Sequence, residues 1–221
     1  WVPALADVGS LLALFLKRQR AEAEFQRFAR YDSLTGLPNR SFFLDTLERT
    51  LSRAGRQRTR NALVFLDLDG FKAINDGLGH AAGDIVLQTM SERLRAGTRS
   101  SDLVARIGGD EFTVLLNGIG VDQDAGRVAR RILHVLREPF ELDRHEVRIT
   151  ASIGIAICPL DGADVETLLR NADTAMYSAK NNGRNGYQFY SSAMNEQAER
   201  KLEIERRLRR AIAEGEFSLC F

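Results

Sequence analysis

The chain predicts an α+β domain: a mostly antiparallel sheet with helices packed on its faces. Short apolar runs of strand length alternate with segments of helical periodicity along most of the sequence. Two pairs of those runs are joined by short turns: residues 103–107 to 112–116 through Gly108-Gly109-Asp110-Glu111, and 140–142 to 146–156 through Asp143-Arg144-His145. Strands linked so closely form hairpins, because a parallel pair needs a long crossover. Helices interspersed with hairpins favour this class over a doubly wound parallel sheet.

The 221 residues suffice for one well-buried domain with appendages and are short for two. Hydrophobic content of 44% and charged content of 28% are those of an ordinary globular protein, and a net charge of +1 provides no electrostatic reason to expect nucleic acid or a membrane surface as partner. Cys158 and Cys220 lie far apart without CxxC spacing, which suggests reduced thiols and a cytoplasmic setting. The start at Trp1 suggests an excised fragment, and the apolar stretch 8–16 is too short to span a bilayer, so attachment of a longer parent to a membrane stays open.

In chain order, residues 8–30 predict one helix, with Leu11, Leu12, Phe15, Leu16, Phe25 and Phe28 at roughly helical spacing among charges. It could pair with its own copy or join an upstream module. Gly36 and Pro38 interrupt the chain, and Asn39 is placed to cap a helix over 40–54, followed by a basic loop over 55–60. Residues 61–66 are almost continuously apolar, as in a strand buried on both faces, and lead into Asp67-Leu68-Asp69-Gly70. Carboxylates two apart project to the same side of a strand. Burying both unpartnered is costly, so a cation or a helix N-terminus is implied, and for Asp69 a cap and a ligand role stand side by side.

Residues 71–76 predict a short helix, 77–80 a loop and 81–96 a longer helix carrying Gly83 and Asp84 near its start. The helix dipole alone would favour Asp84 there, and a local hydrogen bond would account for His80. A loop at 99–102 reaches the central hairpin, 123–137 is a helix, and Val165–Asn181 is another, stopped near Gly183. Lys180 and Arg184 suit a helix C-terminus. Residues 187–190 are a closing strand, 192–214 a highly charged helix, and 216–221 the start of a strand.

The acidic strand end and the Gly108–Glu111 turn could lie side by side, gathering Asp67, Asp110 and Glu111. Carboxylates without His or Cys select hard cations such as Mg²⁺ or Mn²⁺, which are commonly shared with substrate phosphates. Lys72, Lys180 and Arg184 could balance those phosphates. The set implies metal-assisted phosphoryl or nucleotidyl transfer, and the absence of GxxxxGK[ST] disfavours a P-loop enzyme.

At these residues the chain resembles the GGDEF family of diguanylate cyclases. The signature stands intact as Gly108-Gly109-Asp110-Glu111-Phe112. Four further family blocks occur in order: 32–40 (DSLTGLPNR), 67–76 (DLDGFKAIND), 79–84 (GHAAGD), and Ala172-Asp173 through Ala179-Lys180 to Gly183-Arg184-Asn185. The resemblance covers residues 31–190 and implies a fold like the palm of adenylyl cyclases and polymerases.

It also implies condensation of two GTP to cyclic di-GMP with loss of two pyrophosphates, by two chains that each offer a half-site, hence a homodimer. Asp67, the Leu68 carbonyl, Asp110 and Glu111 would bind Mg²⁺ (or Mn²⁺), two ions per half-site. Asp110, Glu111 and Lys72 would be catalytic. Asn75 and Asp84 would read guanine with His80 close by, Gly108 and Gly109 would admit the nucleotide, and Lys72, Lys180 and Arg184 would hold phosphates. Arg99 and Asp102 stand where the family places its RxxD product-inhibition site. Residues 191–221 are similar to the start of an EAL phosphodiesterase domain, and the segment before residue 31 looks like the end of a GAF-type sensor. The alternative is a catalytically weak GTP-binding module that regulates a linked phosphodiesterase.

Overall fold

The apolar run at 61–66 is the middle of a ten-residue strand, β1 (Arg60–Asp69), with neighbours on both edges. The computed structural model describes residues 15, 17–19, 27–57, 59–142, 145–214 and 216–217. Around β1 are α1 (Arg40–Gln57), α2 (Phe71–Leu78), α3 (His80–Ala96), β2 (Leu103–Gly108), β3 (Glu111–Ile119) and α4 (Asp122–Val135). Then come β4 (Phe140–Leu142), β5 (His145–Val147), β6 (Thr150–Cys158), α5 (Val165–Asn181), β7 (Gly186–Phe189) and α6 (Ser192–Ala213). The main sheet has the order β2-β3-β1-β6-β7, antiparallel except for the parallel β6–β7 pair.

The two faces of β1 carry separate cores, as a period of two requires. Ala62, Val64, Leu66 and Leu68 join Val86, Leu87 and Met90 of α3 and Ala125, Ala129 and Ile132 of α4. Leu63 and Phe65 join Phe43, Leu47 and Leu51 of α1 and Leu168, Ala172 and Met176 of α5. Each of the larger side chains among them, fully buried, contributes about 1.5–3 kcal/mol. Gly154 on β6, opposite Phe65, sets how closely α5 can lie. A Cβ there would stand 1.9 Å from the Ala172 carbonyl oxygen and 2.3 Å from the Met176 nitrogen. Only glycine lets the α5 backbone rest on the sheet at this point.

Several boundaries differ from the sequence expectation. The strand expected over 146–156 is two strands in two sheets. β5 pairs with β4 in a separate ribbon, and β6 pairs with β1. The ribbon is held to α3 by Arg93, whose guanidinium lies 4.1 Å from the Phe140 ring centroid and donates to the Glu138 and Pro139 carbonyls. The chain must therefore change direction around Ile149, whose burial anchors the corner. α1 continues into the expected basic loop as far as Gln57, and Asn39 caps it, accepting from the Phe42 N–H at 3.0 Å. His80 opens α3 instead of ending a loop, because Gly79, at φ 85°, makes the whole α2–α3 turn. Of the expected helix over 8–30, residues 15, 17–19 and 27–30 are described and helical, and the rest lies outside the described residues. Of the expected strand over 216–221, Glu216 and Phe217 are described, outside any strand. Among the described residues no helix is long and apolar enough to cross a membrane.

Candidate active site

Pairing of β1 with β3 places Asp67 directly opposite Glu111, one residue beyond the hairpin tip that carries Asp110. The tip turns through Gly109 at φ 53°, a left-handed conformation natural to glycine. Lys180, at the end of α5, reaches Asp67 at 2.8 Å. Burial raises the Asp67 carboxyl above its usual range; the Lys180 hydrogen bond opposes this, and repulsion from Asp110 and Asp69 adds to it. Glu111 is raised as well, first by desolvation and then by Asp173, Asp67 and Asp110, with Lys180 again opposing. The acids thus crowd one partly desolvated corner with Lys180 as the cation that opposes them there. Among the described residues no three His, Cys, Asp or Glu side chains form a ready metal-holding group. The three acids are neighbours without closing into a cage, because like charges repel and Lys180 occupies an Asp67 oxygen.

Asp69 is not the helix cap that was one of its two expected roles. The N-cap of α2 is Gly70, without a side-chain cap bond. Asp69 instead accepts from the Thr150 and Ser152 hydroxyls, both at 2.7 Å, and from the Asn185 N–H at 3.1 Å. It ties β1 to β6 and to the loop after α5. Arg184 and Asn185 in that loop have φ 59° and 46°, and Arg184 Nε stands 4.0 Å from Asp69.

Lys72 is exposed in the first turn of α2 and His80 at the start of α3. The Asn75 amide lies against Gly83, where a Cβ would sit 2.0 Å from its Oδ1, so it borders Asp84, which is exposed on the next position of α3. Leu68 turns its side chain into the opposite core, and its backbone is paired in register with Ala151 of β6. Arg99 and Asp102 are not in this corner. They lie at the far end of the β2–β3 hairpin, lining a cavity of about 190 Å³ with Asn117, Asp124, Arg127 and Arg131.

Residues 29–186 match the family model described as "Diguanylate cyclase, GGDEF domain". The chain belongs to the GGDEF family. It is 45% identical over 212 residues to the bifunctional diguanylate cyclase/cyclic di-GMP phosphodiesterase MucR of Pseudomonas aeruginosa, covering 96% of this chain and 30% of that protein. The chain thus spans less than a third of that relative's length. The solved GGDEF domain of TpbB from the same organism matches with a TM-score of 0.75 and 43% identity, over 76% of this chain and 99% of that one. The coiled coil and GGDEF domain of DgcB from Caulobacter crescentus, solved with cyclic di-GMP, matches with a TM-score of 0.70 and 27% identity, over 83% and 97%.

GGDEF cyclases use divalent metal, and the donors of this corner suit one: they are hard oxygens, and two of its carboxylates are raised by burial and then by repulsion from their neighbouring acids, both of which a bound cation would offset. Sequence reasoning assigned no role to Asp173, Arg106 or Asp32. Asp173 follows Ala172 in a family block, and although solvent reaches it, desolvation holds its carboxyl above the usual range. Arg106 interrupts an apolar strand, which is the one signal that could have marked it.

Proposed function

We propose that this GGDEF domain condenses two GTP molecules into cyclic di-GMP. The observation that carries this reading is the convergence of Asp67, Asp110 and Glu111 beside Lys180 at the signature turn. In each half-reaction a ribose 3′-oxygen forms a bond to the α-phosphorus of the other GTP, the bond to the β-phosphate oxygen breaks, and pyrophosphate leaves as the hydroxyl proton is lost. Asp67, Asp110, Glu111 and the Leu68 carbonyl would hold Mg²⁺ or Mn²⁺, two ions per half-site, which when bound polarise the α-phosphate and acidify the attacking hydroxyl. Lys180 exchanges its Asp67 partner for phosphate oxygens, and Lys72 and Arg184 add charge from α2 and from the loop that Asp69 holds. Asn75 and Asp84 take the guanine edge, with His80 nearby. A carboxylate accepts from guanine's N–H groups and repels the acceptor edge of adenine. The backbone at Gly108 and Gly109 admits the triphosphate.

One chain supplies one half-site, so catalysis takes a homodimer. Product returns to the Arg99–Asp102 cavity, where Arg131 adds charge, and slows synthesis. MucR pairs a cyclase with a phosphodiesterase, and in line with that residues 191–221 are read as the connection to an EAL phosphodiesterase domain; residues 1–30 are read, on their sequence, as the end of a sensor module. The domain works in the cytoplasm, where GTP is available. Incubation with GTP and Mg²⁺, followed by chromatography, tests the reading. Cyclic di-GMP supports it, GTP binding without product makes the domain a regulatory module, and equal use of ATP overturns the base assignment.

A further inference from the structure

Arg106 ties the signature turn to the N-terminal loop. It stands on β2 with its side chain 12% exposed. Its Nε and Nη2 both donate to the Gly109 carbonyl, at 3.0 and 2.8 Å, and Nη1 donates to both Asp32 carboxylate oxygens, at 3.0 and 3.2 Å. The Arg106 N–H donates to the Pro38 carbonyl at 3.0 Å. Asp32 also accepts from the Thr35 N–H and hydroxyl, at 2.9 and 2.7 Å. The loop is bonded in turn to the residues before it: the Asn39 N–H donates to the Arg30 carbonyl and its Nδ2 to the Phe28 carbonyl. A continuous hydrogen-bonded path therefore runs from the helical turn at 27–30, through residues 31–39 and Arg106, to the peptide that precedes Asp110.

The turn needs such a restraint. No heavy atom lies within 4 Å of a Cβ position at Gly108 or Gly109, so packing does not hold the tip, and glycine backbone is intrinsically free. Two N–H groups of one rigid guanidinium on one carbonyl remove that freedom, which a lysine's flexible single point charge would not.

We infer that Arg106, oriented by Asp32, is a positioning residue for the signature turn, and that the loop over 32–39 is the element through which the preceding helix sets the placement of Asp110 and Glu111. This rests on the cyclase reading above. It goes further in giving two residues outside the acidic corner a role in turnover.

The experiment compares Arg106→Met, which keeps the aliphatic stem and removes the fork, with Arg106→Lys, Asp32→Asn and the double variant Asp32→Asn/Arg106→Met. Steady-state kinetics with GTP are measured alongside amide hydrogen exchange. Arg106→Met lowers kcat by about 30- to 100-fold with KM changed less than about threefold, since misplacement by roughly 1 Å costs on that order. Exchange at residues 108–111 rises by roughly tenfold while β1 and β6 stay protected. Arg106→Lys and Asp32→Asn fall between, and the double variant is no slower than Arg106→Met, because the two residues act in series. Unchanged kcat with unchanged turn exchange overturns the inference, as does an additive double variant. Should Arg106→Met lose protection throughout β1 and β6, Arg106→Lys and Asp32→Asn decide: turn-confined exchange in them supports the role, and global loss refutes it. A wild-type chain that makes no cyclic di-GMP refutes the cyclase reading, while the exchange data still decide whether Arg106 holds the turn.

Discussion

The two ends of the β2–β3 hairpin hold the same kinds of side chain with opposite surpluses. At the turn end Asp67, Asp110, Glu111 and Asp173 gather around Lys180. At the open end, about 20 Å away by strand rise, the acids are already satisfied. Asp102 accepts from the Arg99 and Asn117 backbone N–H groups, at 3.0 and 3.4 Å. Asp124 accepts from the Val121 and Gly120 amides and pairs with Arg127, and those contacts hold its carboxyl below the usual range. Arg99 and Arg131 are left facing the cavity. Backbone amides make the difference. At the open end backbone amides satisfy the acids and leave arginine in surplus, whereas at the turn end Asp67 and Glu111 keep mainly one another, Asp110 and Lys180 as neighbours.

The largest test of this contrast is Asp110→Ala. Cyclic di-GMP synthesis falls by at least about a thousandfold, while thermal melting of this tip variant stays within about 0.5 kcal/mol of wild type. Substantial residual product would remove Asp110 from the chemistry. Gly154→Ala comes next, because it pushes α5, and with it Lys180, away from Asp67. The Cβ would collide with backbone 1.9 Å away, so urea unfolding should show a loss of about 2–3 kcal/mol. Unaltered stability would mean that α5 does not rest on the sheet there. At the open end, Arg99→Ala should raise the product concentration that halves the rate by roughly tenfold, the worth of a charged hydrogen bond. An unchanged inhibition curve would leave that cavity without a regulatory role.

The smallest effect is Glu111→Gln. The native carboxyl is raised above its ordinary 4.5. As pH climbs through that value the unfolded chain ionises freely while the folded one must hold a disfavoured anion, so stability falls, and the penalty persists above the raised pKa. The glutamine variant should therefore melt a little higher than wild type at pH 7 without divalent ions. The gain should vanish below about pH 4, where both states are protonated. Equal melting at pH 7 would deny that the corner is over-charged.

The opposite fates of Asp67 and Asp69 mark how far residue patterns reach. Both were legible as acids on one side of a strand end, but which one enters the acidic corner depends on Thr150 and Ser152, which reach Asp69 only once β6 pairs with β1. Likewise the 146–156 stretch reads as one strand until Arg93 fastens β4, and so its ribbon, to α3. Arg106 was legible only as a cation in an apolar strand; its Asp32 and Gly109 partners required the fold.

From the sequence alone came the α+β class, the two-sided burial of β1, the Asn39 cap, the glycine turn and the family blocks. All of these depend on local periodicity, backbone freedom or short spacing, which neighbouring residues settle among themselves. Only the tertiary structure decided that Lys180 meets Asp67, that Asp69 is spent on hydroxyls, that Arg106 joins the loop over 32–39 to Gly109, and that the acidic corner and the arginine-lined cavity occupy opposite ends of one hairpin. Those are contacts between distant segments, set by strand register and by how closely helices can approach the sheet.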